Sequence, residues 1–195
     1  MRILSSSKRL SITGLIIACL CFVAAALLHP GGYDLSRDYL STLLRDRSAP
    51  ARITAIAGLL FYCVSIALVF VRLARVPNSR ALSKVIEIGG IGSAVYTALV
   101  ASPMHDLMVT ISIIFFATAV LALLRGLHAG REIGFLAAGS ACFALLVTSC
   151  TIYYSHHFVV VLPWAQRILL IVSAAWLVSL DLRIPRLRLG RTGIA

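Results

Sequence analysis

Residues 107–124, LMVTISIIFFATAVLALL, run without a charged side chain between His105-Asp106 and Arg125. Coiled at about 1.5 Å per residue, such a run approaches the roughly 30 Å hydrocarbon layer of a bilayer. In lipid, every backbone N–H and C=O needs a partner within the protein, so the segment must be a helix. Working outward, five more apolar runs of this kind cover residues 12–28, 53–71, 85–101, 133–152 and 164–180. The expected architecture is all-α: one domain, residues 1–195, folded as a polytopic bundle of six transmembrane helices. An even number of crossings puts both termini on one side.

Composition points the same way. Hydrophobic residues make up 60% of the chain and charged ones 13%, and the mean hydropathy is +0.97. Soluble domains average about 45–50% apolar and about 25% charged residues. A water-soluble globule, a disordered chain and an ordinary soluble nucleic-acid-binding domain are therefore excluded. The net charge of +11 would suggest nucleic acid in a soluble protein. Here the basic residues fall between apolar blocks, where membrane orientation and anionic headgroups place them, and no nucleic-acid partner is expected. Cys19, Cys21, Cys63, Cys142 and Cys150 all lie inside apolar runs, with neither a disulfide framework nor zinc spacing.

Orientation follows from the positive-inside rule. One side carries Arg2, Lys8, Arg9, Arg72, Arg75, Arg80, Lys84, Arg125, Arg131, Arg183, Arg186, Arg188 and Arg191; the other carries Arg37, Arg45, Arg47, Arg52 and Arg167. Both termini are therefore expected in the cytoplasm, in a prokaryotic cytoplasmic membrane. A rival reading takes the first run, with Arg2, Lys8 and Arg9 before it and Ala24-Ala25-Ala26 near its end, as a cleavable signal peptide. Small residues at helical spacing (Gly89 with Ser93, Gly90 with Ala94, Gly134 with Ala138, Ala137 with Ala141) are expected to bring the third and fifth spans inside the bundle.

The extracytoplasmic side gathers His29, His105, His156 and His157, the acids Asp34, Asp38, Asp46 and Asp106, and Tyr33, Tyr39, Tyr153 and Tyr154. From Tyr33 onward, Leu35, Tyr39, Leu40, Leu43 and Leu44 follow a helical period, so a short amphipathic segment is expected in the first outer loop. Its tyrosines suit an aromatic belt; alternatively Ser41, Asp38 and Tyr39 face the bundle mouth. Asp106 suits the N-terminal turn of the fourth span, whereas no capping role is expected for His105. Arg167 is expected either to snorkel or to pair with Asp106 or Asp38. Glu87, a turn after Lys84, reads as an i,i+3 ion pair.

At these residues the chain resembles a six-span prokaryotic membrane family known as domain of unknown function 998, itself loosely similar to FRAG/DRAM/SFK-type membrane proteins. Tyr33 and Ser41-Thr42-Leu43 match the family's tyrosine and Ser-Asp-Leu element, with Thr42 where the family has its acid. Ser102-Pro103-Met104 stands for a Phe-Pro-Thr-Asp-like turn without its Asp; His105 matches the histidine that opens the fourth span, and Gln166-Arg167 the pair that opens the last. The resemblance implies the six-span fold and no established activity.

The candidate outer-face site is therefore Ser41, Tyr39, Asp38, His105, Asp106 and Arg167. The leading expectation is a non-enzymatic membrane protein that binds a lipid headgroup or another membrane protein there, since Arg matches phosphate through its planar fork. The alternative is a membrane-embedded lipid hydrolase using an outer His/Asp/Ser cluster. Under that alternative alone, zinc is a possible cofactor, with His105, His156 and His157 as candidate ligands. A transporter is disfavoured by how few ionisable residues fall within the spans.

Overall fold

The computed structural model describes residues 2–77 and 79–189, with side chains for 8–77 and 79–183. Arg191 lies outside the described residues, as do the side chains of Arg2, Arg186 and Arg188. The helices are α1 (Arg2–Leu27), α2 (Leu40–Leu44), α3 (Ala49–Leu73), α4 (Arg80–Ala98), α5 (His105–Ala129), α6 (Ile133–Ser155) and α7 (Leu162–Leu189), with 3₁₀ turns at Leu99–Ala101 and Val159–Val161. Six of them, all but α2, are long and apolar enough to cross a membrane. The chain is a multi-pass membrane protein.

The helices overrun the apolar runs because helix-favouring polar residues continue them. The turn of α4 before its apolar run, Arg80 to Lys84, is helical, and so is the stretch from Arg125 to His128 at the end of α5. Local chemistry fixes their starts. Pro50 occupies the first turn of α3, where its missing N–H is harmless. The Ser79 hydroxyl accepts the Leu82 N–H to cap α4.

Helix α3 lies against α1, α4 and α7. Toward one end, Phe70, Leu73, Ile86, Val120, Leu177 and Leu180 form a buried cluster joining α3, α4, α5 and α7. Toward the other, Leu43 and Leu44 of α2 insert among Ala25, Ala55, Leu59, Ala94 and Val100. Gly90 lies directly on the Phe70 ring, where any Cβ would collide with it. The expectation for the third span's small residues thus holds in space: Gly89, Gly90, Ser93 and Ala94 are all buried. On α6 the structure differs. Gly134, Ala137, Ala138 and Ala141 are exposed, and the buried face is instead Gly139, Cys142, Leu146 and Ser149. Trp176 fills that side and donates its indole N–H to the Phe135 carbonyl at 3.1 Å. Lys84 and Glu87 are both exposed, with no ion pair between them among the described residues.

One polar network crosses the bundle. Arg72 Nε donates to both carboxylate oxygens of Asp181 at 3.0 Å, and Nη2 lies 2.9 Å from Oδ2. The same Nη2 donates to Ser11 Oγ at 2.8 Å, and Lys8 Nζ donates to the Asp181 carbonyl at 2.8 Å. Arg72 and Asp181 side chains are each only 4% exposed. Residues from α1, α3 and α7 thus meet, with Lys8 and Ser11 of α1 beside Arg72 of α3 and Asp181 of α7. Asp181 neutralises the charge of Arg72, one of the basic residues counted for orientation.

Removing one partner of a buried pair strands the other charge, whereas replacing both with apolar side chains is close to neutral. Asp181→Ala should therefore lower unfolding stability in detergent by about 3–5 kcal/mol, and the double variant Arg72→Met/Asp181→Leu should recover most of that loss. Equal losses in the two variants would show that the pair itself, not the stranded charge, stabilises the bundle.

Candidate functional site

At the opposite end, residues 28–48 cross the mouth of the bundle. Gly31 and Gly32, at φ of 86° and 87°, turn the chain back immediately after His29, a conformation that favours glycine. Asp34 then builds a turn instead of the helix expected from Tyr33. Its Oδ1 accepts both the backbone N–H and the hydroxyl of Ser36, at 2.8 and 2.6 Å, and its own N–H donates to Asp38 Oδ2 at 2.8 Å. Such side-chain bonds compete with helix formation. They also hold the Asp34 carboxyl below its ordinary value, the Ser36 hydroxyl contributing most. Leu35 is left exposed, and only Leu40–Leu44 is helical.

Arg167 of α7 clamps this turn. Nη1 donates to the carbonyls of Leu35 at 2.8 Å and Pro163 at 2.9 Å; Nη2 donates to the Tyr33 hydroxyl at 2.7 Å and the Asp38 carbonyl at 2.6 Å. The guanidinium also lies 5.5 Å from the Tyr33 ring centroid. Burial pushes the Tyr33 phenol above its ordinary value, against the opposing pull of Arg167. It stays protonated and donates to the Asp38 carbonyl at 3.3 Å. Of the two alternatives for Arg167, snorkelling or pairing, the pairing with the Asp38 or Asp106 carboxylate is not what forms. Backbone carbonyls and a phenol take all four of these bonds.

The other candidates separate. His105 Nδ1 lies 2.9 Å from the Val100 carbonyl, tying α5 to the preceding 3₁₀ turn, so it does have a role at a helix end. Asp106 makes no cap; its Oδ1 accepts the Tyr153 hydroxyl at 2.7 Å, and beside it Thr110 Oγ1 and the Tyr154 hydroxyl are 2.7 Å apart, joining α5 to α6. His156 and His157 are exposed beyond α6. No three His, Cys, Asp or Glu side chains gather in a metal-holding group among the described residues. His105, His156 and His157 do not converge.

Ser41 and Tyr39 do share a site. With His29, Pro30, Thr42, Arg45, Asp46 and Arg47 they line an open cleft of about 520 Å3 between the end of α1 and α2. Within it, His29 Nδ1 is in close contact with Asp46 Oδ2, while Asp46 Oδ1 accepts the Ser48 N–H at 2.8 Å. That backbone bond, then the His29 ring, holds the Asp46 carboxyl below its ordinary value of 3.8. Asp46 is only 6% exposed, whereas Arg45 and Arg47 point to solvent. The sequence marks His29 and Asp46 as outer-face residues without pairing them. His29 beside Pro30-Gly31-Gly32, a chain reversal at the end of a span, is the signal that it lies over the mouth.

No family model matches the chain, and no match was found among curated proteins or solved structures.

Two outcomes follow from this geometry. Arg167→Ala should free the 33–38 turn by about 2 kcal/mol, a roughly 30-fold rise in its amide exchange, and Arg167→Lys should not restore it, because an ammonium cannot reach four acceptors in a fork. For Asp46, a lowered carboxyl value means that the stabilisation is present when the group is ionised and is lost as pH falls through that value. The thermal stability gap between parent and Asp46→Asn should hold from neutrality down to about pH 4 and close in stronger acid.

Proposed function

We propose that this chain is a multi-pass protein of a prokaryotic cytoplasmic membrane, with both termini in the cytoplasm, and that its extracytoplasmic cleft binds the anionic headgroup of a membrane lipid. The observation that carries the reading is the charge balance of the cleft. Arg45 and Arg47 line it and are exposed, while its one carboxylate, Asp46, is already engaged by His29 and the Ser48 N–H. Tyr39, Ser41 and Thr42 add hydroxyls for phosphate oxygens. A volume of about 520 Å3 lies within the range of small-molecule sites. The cleft sits where α1 ends and α3 begins, the level at which headgroups meet the protein.

The cation in this role is therefore Arg45 with Arg47, and not Arg167, whose donors are taken up by the fold. Membership in the six-span family that the sequence resembles belongs to the same proposal. Two residues that carry the resemblance, Tyr33 and Arg167, touch each other, and a third, His105, secures the α4–α5 turn. Their common work is then to shape the mouth around the cleft.

Mass spectrometry of lipid retained on detergent-purified protein tests the reading. Arg45→Ala/Arg47→Ala should lose at least about tenfold of the retained anionic lipid relative to zwitterionic lipid, as expected when two charge-assisted phosphate contacts are removed. An unchanged ratio would overturn it.

A further inference from the structure

The cleft holds more than a charge match. His29 Nδ1 is occupied by a fixed, buried carboxylate, and its Nε2 has no hydrogen-bond partner among the described residues. Ser41 is likewise unengaged. Some serine and threonine hydroxyls in the helices turn back onto the carbonyl four residues earlier, as Ser65, Thr118, Ser149 and Thr151 do, and others, Ser93, Thr97 and Ser112, bond across to a neighbouring helix. Ser41 lies in the first turn of α2, so that local acceptor is not in helical register, and its hydroxyl has no partner among the described residues. A carboxylate-oriented imidazole and an unengaged serine hydroxyl therefore line one cleft, beside two cations.

We propose that the cleft cleaves an ester of the anionic lipid it holds, with Ser41 as nucleophile, His29 as general base and acid, and Asp46 as the residue that positions His29. The proposal rests on the headgroup-binding reading above. Ser41 Oγ attacks the ester carbonyl carbon as its proton passes to His29 Nε2. The carbon–oxygen ester bond then breaks, and the same proton goes to the departing alkoxide, leaving an acyl group on Ser41. Water repeats the sequence, losing its proton to His29 and releasing the fatty acid and the free serine. Asp46 stays ionised throughout and favours the tautomer whose Nε2 accepts a proton. The net reaction is ester plus water to acid plus alcohol, with no other reactant.

Labelling of the full-length protein in detergent with a fluorophosphonate probe tests the chemistry, with peptide mapping to locate the label. The expected result is a label on Ser41, absent in Ser41→Ala and slowed about 10²-fold or more in His29→Ala. Asp46→Asn, already expected to lose some thermal stability, should also slow labelling of the folded protein, while Asp46→Glu, which keeps a carboxylate, restores part of it; a merely structural Asp46 would leave the labelling rate of the folded protein unchanged. Fatty acid release from phosphatidylglycerol vesicles should follow the same order. A parent protein that retains anionic lipid yet takes no label overturns the esterase and leaves the binding site standing. A parent that does neither overturns both, and label persisting in Ser41→Ala assigns the nucleophile elsewhere and overturns the proposal.

Discussion

The ion pair between Arg72 and Asp181 is the constraint on which one end of the bundle is built. It links residues 109 apart in sequence, and it does so inside a protein where stranding either charge would cost several kcal/mol. Because Ser11 and Lys8 complete it, α1, α3 and α7 are held in one register. The apolar cluster around Phe70, Leu73 and Leu177 supplies area but little direction, since lipid tails are as apolar as leucine. Small-residue contacts such as Gly90 on Phe70 fix how closely helices approach. The polar network fixes which helices meet and at what height.

Arg167 performs the corresponding work at the opposite end with different chemistry. No carboxylate faces it in a salt bridge among the described residues; its donors go to the carbonyls of Leu35 and Asp38 in the 33–38 turn and of Pro163 at the start of α7. A guanidinium suits this because its planar fork presents several donors at once. With Tyr33 against it, the loop is drawn down over the mouth, and Leu43 and Leu44 are carried into the bundle behind it.

The six spans were legible because each satisfies a single coarse requirement, enough consecutive apolar residues to cross hydrocarbon. The pairs that orient the spans were not. Arg72 and Asp181 each stand at the edge of an apolar run, where a charge reads equally as a residue reaching for water. Arg167 was visible as an isolated cation, but backbone carbonyls are everywhere and leave no mark in a sequence. His105 found its acceptor five residues back for the same reason. The helical period from Tyr33 through Leu35 lost to Asp34, whose bonds to Ser36 close a turn; an Asp two residues before a Ser, after two glycines, was the local cue. In the α6 stripe, spacing alone could not decide which of two small-residue faces meets a neighbour.

The distribution of arginines then bears directly on function. A cation engaged by the fold is a poor ligand contact, since binding would have to displace partners already held without the freedom of water to replace them. Arg72 and Arg167 are so engaged, at opposite ends of the protein. Arg45 and Arg47 are exposed on the walls of a cleft whose carboxylate already has its own partners. The same His29–Asp46 contact that removes this negative charge from competition also fixes the imidazole in one orientation. One contact therefore makes the cleft receptive to an anion and leaves a ring nitrogen beside it without a partner, which is why binding and chemistry are proposed for the same few residues.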